Sequence, residues 1–346
     1  MKTIIKPFLA IIIWVQIGCN AFFPNDNDPL TELNVFILCE GNFGQFNASL
    51  WMVNPEQPIV NGPIYQNQTG KVLGDVGQSM ALSDDQLYVV NNTSHSIEIF
   101  DLSGDQAIHT QSIDLKGTSP RYMVIHEGKG YVTAWNSKGI LVINLSSNSL
   151  DKTIDLDGMP EDILIHDNHF YVSITMKPDW SYDNRVLKLS LDGSIVSTYT
   201  VISGPGRMVI LDGKLFVASA YYDANWNSFT GNNTIDLSSG TVTTKYLGEA
   251  NDIGSDLIVF NDKIYRSFKG GVAKLNGDLT MNRSQTIGSS DGIYSAAAVG
   301  DYIFIGQTDY VAPDTVYVFN EKNEMLQTYE VGAIPGDFIL YKKEID

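Results

Sequence analysis

The sequence predicts an all-β fold: a seven-bladed β-propeller of four-stranded antiparallel blades, closed by pairing its N- and C-terminal strands. Three observations predict it. A phrase of about forty residues recurs six times between Ser79 and Val331. Each copy has an apolar strand, a tight polar turn, an aromatic-led strand, a variable loop and a third strand ending in Asn or Asp. The turns between first and second strands are rich in Gly, Asn and Asp, the residues that supply left-handed backbone to hairpins. Finally, the two ends are complementary fragments. Residues 34–39 and 48–54 supply second and third strands without a first, and residues 334–341 are a first strand with nothing after it.

The clearest copy runs through residues 120–125 (Pro-Arg-Tyr-Met-Val-Ile), 130–135 (Gly-Tyr-Val-Thr-Ala-Trp) and 140–144 (Ile-Leu-Val-Ile-Asn). The next has residues 160–165, 169–174 and 185–189 in the same roles. Joining the two terminal fragments makes a seventh blade and removes a sheet edge that would otherwise pair with other chains. No segment after the leader has the long 3.6-residue period of a core helix. At 43% apolar residues the chain has ample material for sheet-on-sheet cores.

The first residues are not fold. Lys2 and Lys6 precede an apolar run, Phe8 to Val15, which is too short to span a bilayer. The run closes at Gln16-Ile-Gly-Cys19, a pattern that resembles a bacterial lipobox, although Gln16 stands where Leu is usual. Residues 1–18 are therefore expected to be a lipoprotein-type signal peptide, Cys19 the lipidated residue, residues 19–33 a tether, and residues 34–343 the propeller. An ordinary secretory signal and an uncleaved anchor are the alternatives. A diacylated cysteine supplies the two-chain membrane hold that one chain lacks, so the expected location is the cell envelope, lipid-anchored at the outer membrane or cell surface. With Cys19 modified, Cys39 has no partner for a disulfide and reads as a buried thiol in an apolar strand.

Aspartate and glutamate outnumber lysine and arginine by 40 to 22, for a net charge of −18. Such a surface repels phosphate backbones, which excludes nucleic acid as an expected partner.

Strand polarity alternates, so all turns between first and second strands lie on one rim. Loops after the second strand and links between blades lie on the other. The second rim holds the long, irregular loops, residues 175–184 and 220–234 above all. It also gathers aromatics: Phe43, Phe46, Trp135, Trp180, Tyr182, Tyr221, Tyr222, Trp226, Phe229, Phe268 and Tyr310. Loops on a rigid scaffold commonly carry binding residues, and Tyr and Trp give large contact area at low entropic cost. Part of the set is expected to fold inward over the blades. Of these, Phe43, Trp135, Trp180, Tyr182, Tyr221, Tyr222, Trp226, Phe268 and Tyr310, together with Arg121 and Arg207, are the expected ligand-binding residues. Arg121, Glu161, Asp162, Arg207, Asp256 and Asp337 each follow Pro or Gly at equivalent places near the channel. Each by itself is expected to hold the start of an innermost strand; as a set they could also fix a ligand's polar edge.

No motif points to catalysis. His-Glu-x-x-His, a phosphate loop and a zinc-type cysteine pair are all missing from the sequence. His126, His166 and His169 fall at the short-turn rim and His109 on an outer strand. Only His95 reaches the loop-rich rim, and a lone histidine is a poor acid–base case. Acid pairs such as Asp84-Asp85 lack a calcium-loop pattern. No enzyme activity, metal or cofactor is expected.

Residues 131–136, Tyr-Val-Thr-Ala-Trp-Asn, resemble the Tyr-Val-Thr-Asn phrase of one family of repeat propellers, with Ala134 breaking the match. The segment 38–50, Leu-Cys-Glu-Gly-Asn-Phe-Gly-Gln-Phe-Asn-Ala-Ser-Leu, is similar to the opening of a group of bacterial propeller lipoproteins, with Cys39 where that group has Asn. The group includes surface lipoproteins that capture cobalamin and pass it to an outer-membrane transporter. The resemblance implies a non-enzymatic ligand-capture role with a corrinoid as one candidate, and carries over to Glu40, Asn42, Phe43 and Asn47. A glycan is another candidate. The alternatives are a protein-interaction scaffold associated with an outer-membrane transporter, and a lactonase- or lyase-like propeller enzyme.

Overall fold

The computed structural model describes residues 30–249, 252–288 and 292–345. The signal peptide, Cys19 and the tether up to residue 29 lie outside the described residues.

Seven four-stranded antiparallel sheets make up the described chain. Blade I joins the ends: its order is Pro335–Ile345, Leu30–Cys39, Ser49–Val53, Val60–Asn61. Tyr341 pairs with Asn34 and Phe338 with Ile37, which is the expected closure. Pairing continues to Leu30 opposite Ile345, so the closing strands run beyond the 34–343 span at both ends. Blades II to VII follow in chain order, with innermost strands Gly77–Ser83, Pro120–His126, Met159–His166, Pro205–Leu211, Ile253–Phe260 and Ile293–Val299. Each innermost strand contacts its neighbours on both sides, and Pro335–Ile345 contacts Gly77–Ser83, so the ring is complete.

The middle strands show why an alternating sequence gives this fold. In Gln86–Asn91, Leu87 and Val89 enter the core shared with blade I, while Tyr88 and Val90 enter the core shared with blade III. In Gly139–Asn144, Leu141 and Ile143 face blade II whereas Ile140 and Val142 join the blade IV core. Both faces of these strands are buried, so both parities are apolar, and each side chain of this size buried contributes about 1.5–3 kcal/mol. Outermost strands such as Ser149–Asp155 are largely exposed.

Two features were not expected. Blade I has an outermost strand of only two residues, Val60–Asn61, and a short helix, Ile64–Thr69, covers the perimeter beside it. Gln68 binds the edge of blade II there, with its Oε1 accepting the His109 amide at 2.9 Å. The stretches 175–184 and 220–234 are also not open loops. Strands His169–Met176 and Tyr182–Ser190, and likewise Lys214–Tyr222 and Ser228–Asp236, rise as paired hairpins that leave only residues 177–181 and 223–227 unpaired. Ladder hydrogen bonds satisfy backbone that a long loop would leave to water.

A polar clasp crosses every blade junction. Asp337 Oδ2 accepts the Met80 amide at 2.7 Å, Asp162 Oδ2 the Met208 amide at 2.7 Å, and Asp256 Oδ2 the Ala296 amide at 3.0 Å. The Ser79, Thr133 and Ser295 hydroxyls donate to the Arg121, Glu161 and Pro335 carbonyls. At the remaining junction Arg266, fully buried, donates to the Gly231 and Ser219 carbonyls and to Asn232 Oδ1. The expected strand-holding role of Asp162, Asp256 and Asp337 is thus observed.

Removing an Asp clasp leaves a backbone N–H without its acceptor, and removing a Ser, Thr or Arg clasp leaves a carbonyl without its donor. Arg266→Met is expected to lower the unfolding free energy by roughly 2–4 kcal/mol. Denaturant titration checks this, and a loss under about 1 kcal/mol would show that the V–VI junction does not need its clasp.

Candidate functional site

The rim carrying inter-blade links, here the link rim, surrounds a funnel built from the first residues of the innermost strands. Arg121 is clamped there by Glu161, Nε to Oε2 at 2.9 Å and Nη2 to Oε1 at 2.5 Å, and Nη1 reaches Gln78. Its guanidinium carbon lies 4.5 Å from the Trp135 ring centre. Arg207 lies over Tyr122 at 4.2 Å. Burial opposes the charge of both arginines, but Glu161 for Arg121, and Asp162 with Tyr122, Asp337 and Asp256 for Arg207, outweigh it and hold both cationic.

The acids respond in the opposite sense. Burial pushes Glu40 up to about 7 and Asp337 up to about 6, and raises Asp162 and Asp256. Glu40 stands at the end of the Leu30–Cys39 strand and joins three blades. Its amide donates to Ile334 O, its carbonyl accepts from the Gly77 amide, and its Oε2 accepts the Tyr294 hydroxyl at 2.9 Å. Gly336 packs against it, where a Cβ would lie 2.5 Å from Glu40 Oε1 and displace the carboxyl.

Aromatic side chains rise from this funnel. Trp135 is half-buried and meets Trp180 edge-on at 6.2 Å. Tyr182 meets Tyr221 at 6.1 Å, Tyr221 stacks on Phe229 at 5.3 Å, and Tyr222 contacts Trp226 at 6.2 Å. Over blades VII and I the Asn42 side-chain Nδ2 donates to the Tyr310 carbonyl at 3.0 Å, bringing Tyr310 beside the loop of Phe43 and Phe46. Phe268 stands apart from these groups, under the Arg283 guanidinium at 4.8 Å. Apart from Phe268, the expected aromatic residues thus gather on one rim, in three sets of ring contacts over blades III to V and a smaller group over blades VII and I.

The backbone under the tips is unusual. Phe46, Trp180, Trp226 and Tyr310 have φ of 53°, 67°, 63° and 70° and are 55%, 58%, 83% and 60% exposed. Left-handed backbone costs a residue with Cβ about 1–2 kcal/mol. The two tryptophans occupy the same place in matching five-residue turns: Trp180 N–H donates to Lys177 O and Trp226 N–H to Asp223 O. Equivalent turns on the opposite rim put Gly193, Asn323 and Leu279 there; Gly and Asn adopt this conformation cheaply, and Leu279, unlike the tryptophans, is buried.

Sequence reasoning missed three partners. Tyr246, 62% exposed, projects from the outermost strand of blade V opposite Gly231, which cannot cover it. Glu40 was carried only by resemblance, and Tyr294 and Tyr122 had no signal of their own. His95 is occupied structurally, its Nδ1 accepting the Ser119 amide at 3.0 Å. Among the described residues no group of three or more His, Cys, Asp or Glu could hold a metal ion. A cleft of about 440 Å³ lies away from the rim, on the perimeter beside the short strand of blade I, and is lined by Met52, Ile64, Gln68 and Ala107 among others. None of the expected site residues borders it.

Neither a family model nor a curated protein sequence matches this chain. Solved structures do. A Lactobacillus plantarum protein is 14% identical with a TM-score of 0.63, covering 90% of this chain and 100% of its own. A candidate 6-phosphogluconolactonase from Bacteroides fragilis is 12% identical at 0.63, covering 92% and 100%. AztD from Citrobacter koseri, in its apo form, is 10% identical at 0.58, covering 90% and 98%. At these identities the similarity shows the fold alone.

Glu40 and Asp337 bind protons in the folded chain at pH values where the unfolded chain has released them. Their contribution to stability is therefore fully present at low pH and declines as pH rises from about 4 through about 7. Wild type is expected to lose on the order of 1–3 kcal/mol across that window through Glu40, and Glu40→Gln to show a flatter profile. Thermal melts at pH 5.0 and 7.5 check this; parallel profiles for the two proteins would refute it.

Proposed function

We propose that this chain is a non-enzymatic binding propeller that captures a small ligand on its aromatic link rim. One observation carries the reading: four exposed aromatic residues are held in left-handed backbone on the same rim, whereas the matching five-residue turns of the opposite rim hold Gly193, Asn323 and a buried Leu279. Strain of this kind persists where the side chain has a use, and clusters at ligand-contacting segments. The ring contacts among these side chains give a preorganised, low-entropy contact surface. In this reading the ligand rests on Trp180, Trp226 and Tyr222, with a corrinoid the candidate drawn from the resemblance of residues 38–50.

Chain direction supports a tethered arrangement. The paired ends Leu30 and Ile345 leave the propeller at the short-turn rim. A tether through a lipidated Cys19 would join there and leave the aromatic rim facing away from its own membrane, toward ligand and toward any outer-membrane transporter.

Glu40 favours a second reading. A carboxyl raised to about 7 by burial and hydrogen-bonded to Tyr294 has the ionisation of a general base. In that reading the funnel hydrolyses a small ester or lactone. Turnover of a lactone panel that Glu40→Gln abolishes would establish it over capture.

Trp180→Gly and Trp226→Gly separate ligand binding from folding. Each relieves left-handed strain, so stability is expected to stay level or rise by about 1 kcal/mol. Affinity for the captured ligand, measured by calorimetry with cyanocobalamin and neutral oligosaccharides, is expected to fall at least tenfold, given the weight of aromatic anchors in such contacts. Unchanged affinity for a ligand that binds wild type would remove the rim from the site.

A further inference from the structure

The polar floor of the funnel narrows the ligand class. Each of its carboxyls already accepts a hydrogen bond. Asp162 takes the Met208 and Ile163 amides, Asp337 the Met80 amide, Asp256 the Ala296 amide, Glu161 the Arg121 fork and Glu40 the Tyr294 hydroxyl. Arg207 is the donor left most open. Arg207, with a third of its side chain open, makes a single hydrogen bond among the described residues, a long one of 3.4 Å from Nη1 to Asp162 Oδ1. A guanidinium carries five N–H donors, so the unmet need at the centre of the funnel is for acceptor oxygens.

Charge then selects among acceptors. A carboxylate or phosphate on Arg207 would face Asp162, Asp256 and Asp337, which already surround it, inside a protein of net charge −18. Like charges in a partly desolvated site repel far more than in water. A cationic group has no lone pair to offer the Arg207 donors. A neutral ligand with hydroxyl or ring oxygens avoids both penalties.

The route from that floor to the rim is a chain of cation–ring and edge-on ring contacts. Arg207 lies over Tyr122 at 4.2 Å, Arg121 borders the same ring at 5.9 Å and covers Trp135 at 4.5 Å, and Trp135 meets Trp180 at 6.2 Å. Sugar rings combine apolar C–H faces, which suit exposed Trp, with edges of hydroxyl acceptors.

We propose that the link rim binds a neutral oligosaccharide, one sugar placing its oxygens on Arg207 and following sugars lying against Trp180 and Trp226. This rests on the aromatic-rim reading of the site and specifies its ligand. Arg207 is then the residue that sets selectivity for uncharged sugars.

A microarray of neutral, uronate- or sialate-bearing and amine-bearing glycans, probed with the full chain, tests the class without any variant. Retained glycans are expected to be neutral. Preference for charged glycans, or retention of none, overturns the proposal. Calorimetry of the best glycan against Arg207→Lys, checked for folding by circular dichroism, is expected to show roughly tenfold weaker binding, as loss of hydrogen bonds from a charged donor implies. Equal affinity overturns the role of Arg207. Capture of cyanocobalamin but no glycan, lost in Trp180→Gly, would refute the saccharide while leaving the rim reading standing. A bound glycan indifferent to both Trp180→Gly and Trp226→Gly would refute the rim reading itself.

Discussion

The architecture depends on a side-chain hydrogen bond across each blade junction. Sheets packed face to face are free to slide, because the apolar contact between them has no direction. The clasps from Asp337, Ser79, Thr133, Asp162, Arg266, Asp256 and Ser295 tie a side chain of one blade, on its first or second strand, to a backbone group of the adjacent blade. They set the rotation of one blade against the next, and the funnel is the space their alignment leaves. Because the ring closes through Pro335–Ile345 and Leu30–Cys39, a displacement at one junction must be taken up at the others.

The same groups give the funnel its electrostatic character. Asp162, Asp256 and Asp337 are placed to hold amides, yet their charge collects around Arg207, which stays cationic against burial. Structural and ligand-facing roles are therefore carried by one network. That explains why acids in the funnel have raised pKa values although arginines are near: the carboxylates are desolvated by the blades they join, and two arginines do not neutralise the group. Glu40 is the extreme case, tied through backbone and side chain to blades I, II and VII at the point of closure.

Above the network, the rim spends stability on exposure. Trp180 and Trp226 sit in ordinary five-residue turns whose Asp side chains, Asp179 and Asp223, satisfy the turn amides. The turns are thus well formed, and the strain belongs to the tryptophans alone. Paired strands beneath them make the tips rigid, so the aromatic surface is presented in one arrangement, at lower ordering cost than mobile loops would carry.

Blade number, strand order, the closing pair and the rim that gathers the aromatics were all legible in the sequence. Each follows from a local pattern, alternation within strands and a forty-residue recurrence, that must hold wherever both faces of a strand are buried. The acids and arginines after Pro or Gly were legible as a set for the same reason. The helix Ile64–Thr69 was not, being too short for a period, nor was the rise of residues 175–184 and 220–234 as hairpins, since polar and aromatic residues there lack a clean alternation. The left-handed φ of Trp180 and Trp226 has no signature in a residue type that avoids it. Which donors the funnel leaves free, and that Tyr294 meets Glu40 across 254 positions, depends on distances between strands from different blades. Sequence determines each strand's own periodicity; only ring closure, which fixes those distances, decides which polar groups satisfy one another and which are left for a ligand.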